Sequence, residues 1–355
     1  MKNPRIEIYT ERITQNARVV VDLCSKHKVT VTGVTKGACA HPDVAWAMLD
    51  GGVAGLADSR VANLARLRKA GIRAEMMLLR IPMPSETKSV VDVADISLNS
   101  EISTIRSLGE AAIKKGVIHK VILMVDTGDL REGVWPDDVV RTCAEIRKVP
   151  GVTLEGIGTN LGCYGGVIPT ETNLGQLVHL KTQVEEATGR RLRLVSAGTS
   201  ATFNLLQEGK LPEGINHFRV GEAILLGTEA VSGRVLPGAT SDCFRLVAEV
   251  VEVKTKPSLP IGEVGWDAFR TVPRFVDRGI RKRAILSIGR QDIRPEAMEP
   301  LLAGCEILGA SSDHLIVDVT DCPTEVRVGD EMPFRIGYGA LLQAMTSEYV
   351  EKVVL

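Results

Sequence analysis

The chain lacks the features that tie a protein to a disulfide frame, a membrane or a nucleic acid. Its seven cysteines are scattered, and none forms a CxxC pair. That pattern excludes a disulfide framework and fits reduced thiols in a cytoplasmic protein. Lysine and arginine number 43 against 44 aspartate and glutamate, a formal charge of −1. No global field of either sign is left to recruit nucleic acid or an anionic lipid surface. The first thirty residues have no basic stretch followed by an apolar one, and no apolar run reaches membrane-spanning length. Low-complexity tracts and short-period repeats are also missing. His314 and Cys322 offer two metal donors with no obvious third, so no metal is expected. What is present is an ordinary globular composition, 44% apolar and 25% charged, in 355 residues. That length suits one large domain plus a smaller one.

Helical and strand-like periodicities alternate through the first two thirds. Residues 11–27 read as a helix, with Ile13, Ala17, Val20, Val21 and Cys24 on its apolar face. Strand-like runs follow at 29–35, 54–57, 75–79, 95–98, 120–125, 154–159, 192–197 and 217–220, each succeeded by a helical stretch. Glycines 71 and 116 close two of these helices, and Pro136 opens another, where a missing N–H costs nothing. Eight strand–helix steps predict a (β/α)8 TIM barrel over residues 1–232. A doubly wound open sheet, the competing architecture, normally has fewer strands. From residue 233 the segments turn short, β-branched and turn-bounded. Residues 233–355 therefore read as an all-β C-terminal domain with one late helix.

Chemistry in such barrels sits at the C-terminal ends of the strands. The polar residues there form a coherent set: Lys36, Asp58-Ser59-Arg60, Arg80, Asn99, the run Asp126 to Gly133, Thr159-Asn160, Gly198-Thr199-Ser200, and Arg219-Val220-Gly221-Glu222. Lys36 follows the apolar, β-branched run Val29-Thr30-Val31-Thr32-Gly33-Val34, at the rim of a buried sheet. A lysine in a partly dry pocket loses its proton readily and can form a Schiff base, although a structural ion pair would also place one there. Ser200 offers a hydroxyl and Gly221 close backbone approach, at the two loops where barrels often hold phosphate. Helix capping by Ser200 and a plain turn at Gly221 explain them separately. Arg219 reads either as a cofactor contact or as half of an ion pair with Glu222. An aldehyde-accepting lysine, a phosphate cup and an arginine at the eighth strand together point to pyridoxal 5′-phosphate. The glycines of Gly156-Ile157-Gly158-Thr159-Asn160-Leu161-Gly162 have the wrong spacing for a dinucleotide loop. Cys163 and Tyr164, just beyond, read as pocket lining or as turn residues.

Several segments also carry a resemblance. Val34-Thr35-Lys36, Val125-Asp126-Thr127-Gly128 with Arg131 and Gly133, Gly198-Thr199-Ser200-Ala201-Thr202, Asn216-His217-Phe218-Arg219-Val220-Gly221 and Ile336-Gly337-Tyr338 recur in order. Together they resemble the alanine racemase-like, fold-type III pyridoxal phosphate enzymes over nearly the whole chain. The ornithine racemase-like branch is most similar, through Asp129-Leu130-Arg131-Glu132-Gly133, Gly289-Arg290-Gln291-Asp292 and Gly309-Ala310-Ser311-Ser312-Asp313-His314. The resemblance implies that Lys36 holds the cofactor, with Asn160, Ser200, Arg219, Gly221, Glu222 and Tyr338 around it. The chain departs from alanine racemases at Ala40, Met124 and Asn160, and at Arg290, where their catalytic tyrosine is expected. Plain alanine racemase activity is therefore not expected.

The activity implied is interconversion of L- and D-amino acids, most readily ornithine, then lysine, by two-base transfer of the α-proton. Lys36 serves one face. Arg131 grips the substrate carboxylate or the ring oxygen of the cofactor. The second base is sought among Asp292, Ser312, Asp313 and His314, supplied by a partner copy in a homodimer. Asp292 and Asp313 serve equally well as holders of a distal ammonium, and His314 as a histidine satisfied within the core. The same fold also supports broad alanine or serine racemases, decarboxylases, D-amino acid aldolases or dehydratases, and non-catalytic cofactor-binding proteins.

Overall fold

The computed structural model describes residues 2–355. These form two compact units. One is Thr10–Ser241; the other joins the residues up to Tyr9 with Asp242–Leu355. The first strand, β1 (Arg5–Ile8), belongs to the second unit.

The larger unit opens with helix Thr10–Ser25, which buries Ile13, Ala17, Val20 and Cys24 at helical spacing. Eight strands follow: β2 (Thr30–Val34), β3 (Gly55–Asp58), β4 (Glu75–Leu78), β5 (Ile96–Asn99), β6 (His119–Met124), β7 (Val152–Gly158), β8 (Leu194–Gly198) and β9 (His217–Val220). Each pairs in parallel with the next, and β9 pairs back to β2, closing the predicted barrel. A helix follows every strand, from Pro42–Asp50 after β2 to Glu222–Leu225 after β9. Inside the barrel, Val34, Ala57, Met77, Ile96, Leu98, Ile122, Met124 and Leu194 pack as one apolar cluster. Burying a side chain of this size contributes about 1.5–3 kcal/mol. A second sector, on β2, β8 and β9, is polar: Thr32, Ser196, His217 and Arg219 are all buried there.

The division between the units falls at residues 241/242, where the sequence had placed it at 232/233. Two contacts explain the shift. Thr228 and Val235 form an antiparallel bridge. Asn16 accepts from the Thr240 N–H and donates to its carbonyl, both at 2.8 Å. Residues 233–241 thus stay bound to the barrel.

In the second unit, β10 (Phe244–Pro257), β11 (Ile280–Leu286), β12 (Met298–Pro300), β13 (Glu306–Ala310), β14 (Leu315–Asp318) and β15 (Glu331–Ile336) form a sheet in the order β12-β15-β10-β11-β14-β13, joined through β1 by β16 (Glu351–Val354). The long β10 carries a register shift between Val250 and Glu252. Its first half lies between β1 and β15, and its second half pairs with β11. β1 also pairs in parallel with β16. The helix Tyr338–Thr346 completes the unit. The sequence reading missed β1 and β12. β1 has only four residues, and its alternating Arg5 and Glu7 look solvated. Instead both are buried: Arg5 grips Glu331 at 2.7 and 2.8 Å and also pairs with Glu7. Among the described residues no helix is long and apolar enough to cross a membrane.

Candidate active site

Lys36 sits where predicted, in a single 3-10 turn directly after β2. Asp58, fully buried at the end of β3, fixes that turn. It accepts from the Thr35 hydroxyl at 2.7 Å, the Arg60 N–H at 3.0 Å and Asn63 Nδ2 at 2.9 Å. Three donors hold its carboxylate in one place, so residue 35, and with it residue 36, is fixed relative to β3. The lysine side chain is half-buried. Burial lowers its affinity for a proton. The Cys163 side chain opposes this, Arg131 reinforces it, Asp58 opposes it and Arg219 reinforces it. These five side chains therefore share one electrostatic neighbourhood at the barrel mouth.

Arg131 is displayed by two loops whose acidic residues do structural work. Asp126 accepts from the Gly128 and Leu130 N–H groups at 2.9 and 3.2 Å, an Asx turn. The buried Asp129 accepts from the Tyr164 and Val167 N–H groups at 2.9 and 3.2 Å. That ties the loop after β7 to the loop after β6. Arg131 pairs with Glu132, and its Nη1 lies 2.9 Å from Cys163 Sγ. Asn160 is half-buried just past β7. Cys163 and Tyr164 are exposed beyond it.

Arg219 is fully buried without a carboxylate. Its Nη1 donates to the Ser196 carbonyl at 2.8 Å and to the Ser196 hydroxyl, and its Nη2 to the Thr159 carbonyl at 2.7 Å. The ion pair with Glu222, considered from sequence, does not form; Glu222 accepts from Thr228 instead, and burial raises its pKa. Hydrogen bonds from a charged group are worth about 1.5–3 kcal/mol each. Three of them are comparable with the several kcal/mol needed to dehydrate one ion. Burial pulls the guanidinium pKa down only to about 10, so the group stays charged at neutral pH.

At the ends of β8 and β9 the chain forms a cup. Gly221 packs on β2: a Cβ there would lie 3.2 Å from Val34 Cβ and 3.3 Å from its carbonyl oxygen. The helical cap expected of Ser200 is made by Thr199, which accepts from the Ala201 N–H at 3.2 Å. Ser200 Oγ accepts from the Ala223 N–H at 3.0 Å, joining the two loops, and keeps its own hydrogen to donate.

The second unit carries the remaining candidates. The turn 289–292 lies against residues 311–313 through the Arg290 and Gln291 N–H groups, which donate to the Ser311 and Ser312 carbonyls at 2.9 and 3.0 Å. Asp292 is buried and accepts from Ser347 at 2.6 Å. Asp313 is exposed and takes hydrogen bonds from Ser311 and Ser312; its Oδ1 lies 3.1 Å from His314 Nδ1. The Ser311 bond is the main reason its pKa falls. Gln343 of the helix that begins at Tyr338 donates to the Arg290 carbonyl at 2.6 Å. Three segments singled out from sequence, 289–292, 309–314 and the one ending at Tyr338, thus meet within this unit.

The alanine racemase N-terminal domain family matches residues 8–229. The chain belongs to this family. An ornithine racemase of Acetoanaerobium sticklandii is 46% identical over 353 residues, covering 99% of both chains. A lysine racemase of Thermotoga maritima is 43% identical over the same length and coverage. The fold is that of an alanine racemase of Clostridium difficile 630, with a TM-score of 0.75 at 19% identity, over 100% of this chain and 96% of that one.

Within this alanine racemase-type fold, the sequence missed the residues that hold the site together: Thr32, Asp58 as an anchor, Asp129, Ser196 and His217. One signal could have found two of them. Strand period places His217 on the same face as Arg219, and Thr32 on the same face as Val34.

Proposed function

We propose that this chain is a pyridoxal 5′-phosphate-dependent amino acid racemase whose first substrate is ornithine and whose second is lysine. The observation that carries the reading is the half-buried Lys36 amine, held at a strand end with lowered proton affinity beside Arg131 and Arg219. The residues suit an anionic aromatic aldehyde. A buried guanidinium bonded only to neutral oxygens leaves the mouth short of negative charge. Lys36 supplies the amine, and Ser200 with the Gly221 backbone supplies donors for a phosphate. Arg219, Asn160 and Glu222 would hold the rest of the group, and the resemblance adds Tyr338 to that set. When bound, the group draws electron density from the α-carbon and so acidifies its C–H bond.

The chain's own part is proton handling. Lys36, already inclined to shed its proton, takes one from the α-carbon on one face and returns it there. Arg131 holds the substrate carboxylate by charge-assisted bonds. Arg219 offers a fixed positive charge and no transferable proton. The opposite face needs a second carrier, which a partner copy supplies in a homodimer. Asp313 and His314, exposed and adjacent, suit that role or that of gripping a distal ammonium. Asp292, buried against Ser347, suits holding their platform. The relatives named for ornithine and lysine, matched over 99% of their length, favour diamino acids over alanine.

The test is incubation of the cofactor-loaded full chain with each enantiomer of ornithine, lysine, alanine and serine in D2O, followed by chiral chromatography. Both ornithine enantiomers should reach an equal mixture carrying deuterium at the α-carbon, with lysine slower. Loss of carbon dioxide or release of an aldehyde without inversion contradicts the reading. Removing the second carrier, as in His314→Asn or Asp313→Asn, should lower racemisation by about 10²–10⁴. One enantiomer should still exchange its α-hydrogen through Lys36 with configuration retained.

A further inference from the structure

We infer that His217 positions Arg219, as a neutral imidazole with its proton on Nε2, through a one-way hydrogen-bond chain from Arg219 to Ser196 to His217 to Thr32. The chain crosses β9, β8 and β2 in the polar sector of the barrel. Its direction follows from donor counting. Arginine only donates, so the Ser196 hydroxyl accepts from Nη1. Its own hydrogen then goes to the neighbouring polar atom, His217 Nδ1, 2.7 Å away. Nδ1 must therefore be bare. A neutral ring has one N–H, which falls on Nε2 and is donated to Thr32 Oγ1 at 2.8 Å. Protonating the ring would make both nitrogens donors and leave the Ser196 hydrogen without an acceptor. It would also place a second buried cation beside Arg219. Burial, then Arg219 and Arg193, push the His217 pKa down to about 3.

The arrangement fixes a cation without neutralising it. A carboxylate beside Arg219 would hold it equally well but would cancel the charge a ligand meets. Two hydroxyls and an imidazole lock the guanidinium plane and leave its full charge at the mouth. That use rests on the cofactor reading above; the tautomer does not.

Two measurements test it. Ring nitrogen NMR of the full chain labelled with ¹⁵N-histidine, assigned by the signals lost in His217→Leu, should show Nε2 protonated and Nδ1 bare from pH 8 to 5. A charged ring or the Nδ1–H tautomer overturns the inference. Titration with pyridoxal 5′-phosphate should show Ser196→Ala and His217→Leu each weakening binding about tenfold, the scale of one buried hydrogen bond. The double variant should lose little more than either single one, because both break the same chain. Additive losses, or unchanged affinity in folded variants, overturn the positioning role. If His217→Leu does not fold, Thr32→Val should weaken binding and Thr32→Ser restore it; equal behaviour of the two overturns it. Wild-type chain that takes up no pyridoxal phosphate refutes the functional reading and leaves the NMR result to decide the tautomer.

Discussion

A cation taken out of water must shed its proton, find an anion or surround itself with oxygens. Lys36 and Arg219 divide these options between them. The ammonium of Lys36 moves toward the first, since burial lowers its proton affinity. Arg219 takes the third. Histidine 217 and His119, the latter 2.8 Å from Ser97 Oγ, solve the same problem by staying neutral. Burial is the main cause in both, lowering His217 to about 3 and His119 to about 4. The sign of the consequence is fixed. Below about pH 6.5 the unfolded chain protonates these rings and the folded chain does not, so folding weakens as pH falls toward 4. Each ring contributes a slope on the order of 1 kcal/mol per pH unit. Urea unfolding between pH 7 and 5 should show this loss, and His119→Gln should flatten it. An unchanged slope in that variant would contradict the assignment.

At the scale of elements, the barrel strands were legible because fully buried parallel strands are short apolar runs between helical periods. β1 was not legible, because the charge of Arg5 is satisfied by Glu331, 326 positions away along the chain. Thr199 took the capping role considered for Ser200 for a similar reason: which hydroxyl caps depends on the helix Glu222–Leu225, a neighbour that local sequence does not name. Close approach between strands is also invisible until the barrel closes. At Gly198, on β8, a methyl group would overlap the Phe218 ring of β9, which meets Phe203 edge-on with centroids 6.1 Å apart. Gly198→Ala should therefore cost about 1–3 kcal/mol through overpacking. Gly175, inside the helix Glu171–Thr188, has open space around its missing Cβ. Gly175→Ala should stabilise by about 0.5–1 kcal/mol. Thermal unfolding of the pair checks this; Gly198→Ala melting at or above wild type would refute the packing argument.

Across the whole molecule, fold class and barrel closure could be read from the order of periodic segments, but the chain's division could not. The N-terminal strand leaves the barrel to pair with β10 and β16, and residues 233–241 stay with the barrel because Asn16 holds Thr240. Both facts depend on contacts between distant parts of the sequence. The candidate site was legible at its donors and acceptors, Lys36, Arg131, Ser200, Arg219 and Gly221. Its supports were not, since Asp58, Asp129, Ser196 and His217 act on neighbours rather than on a ligand. The functional account turns on the amine of Lys36, and one measurement addresses it directly. The full chain is loaded with pyridoxal 5′-phosphate, reduced with borohydride, digested and mapped by mass spectrometry. The account predicts a single pyridoxyl group, on the peptide containing Lys36, and none in Lys36→Ala. A pyridoxyl group on another lysine, or no fixed group at all, would contradict it.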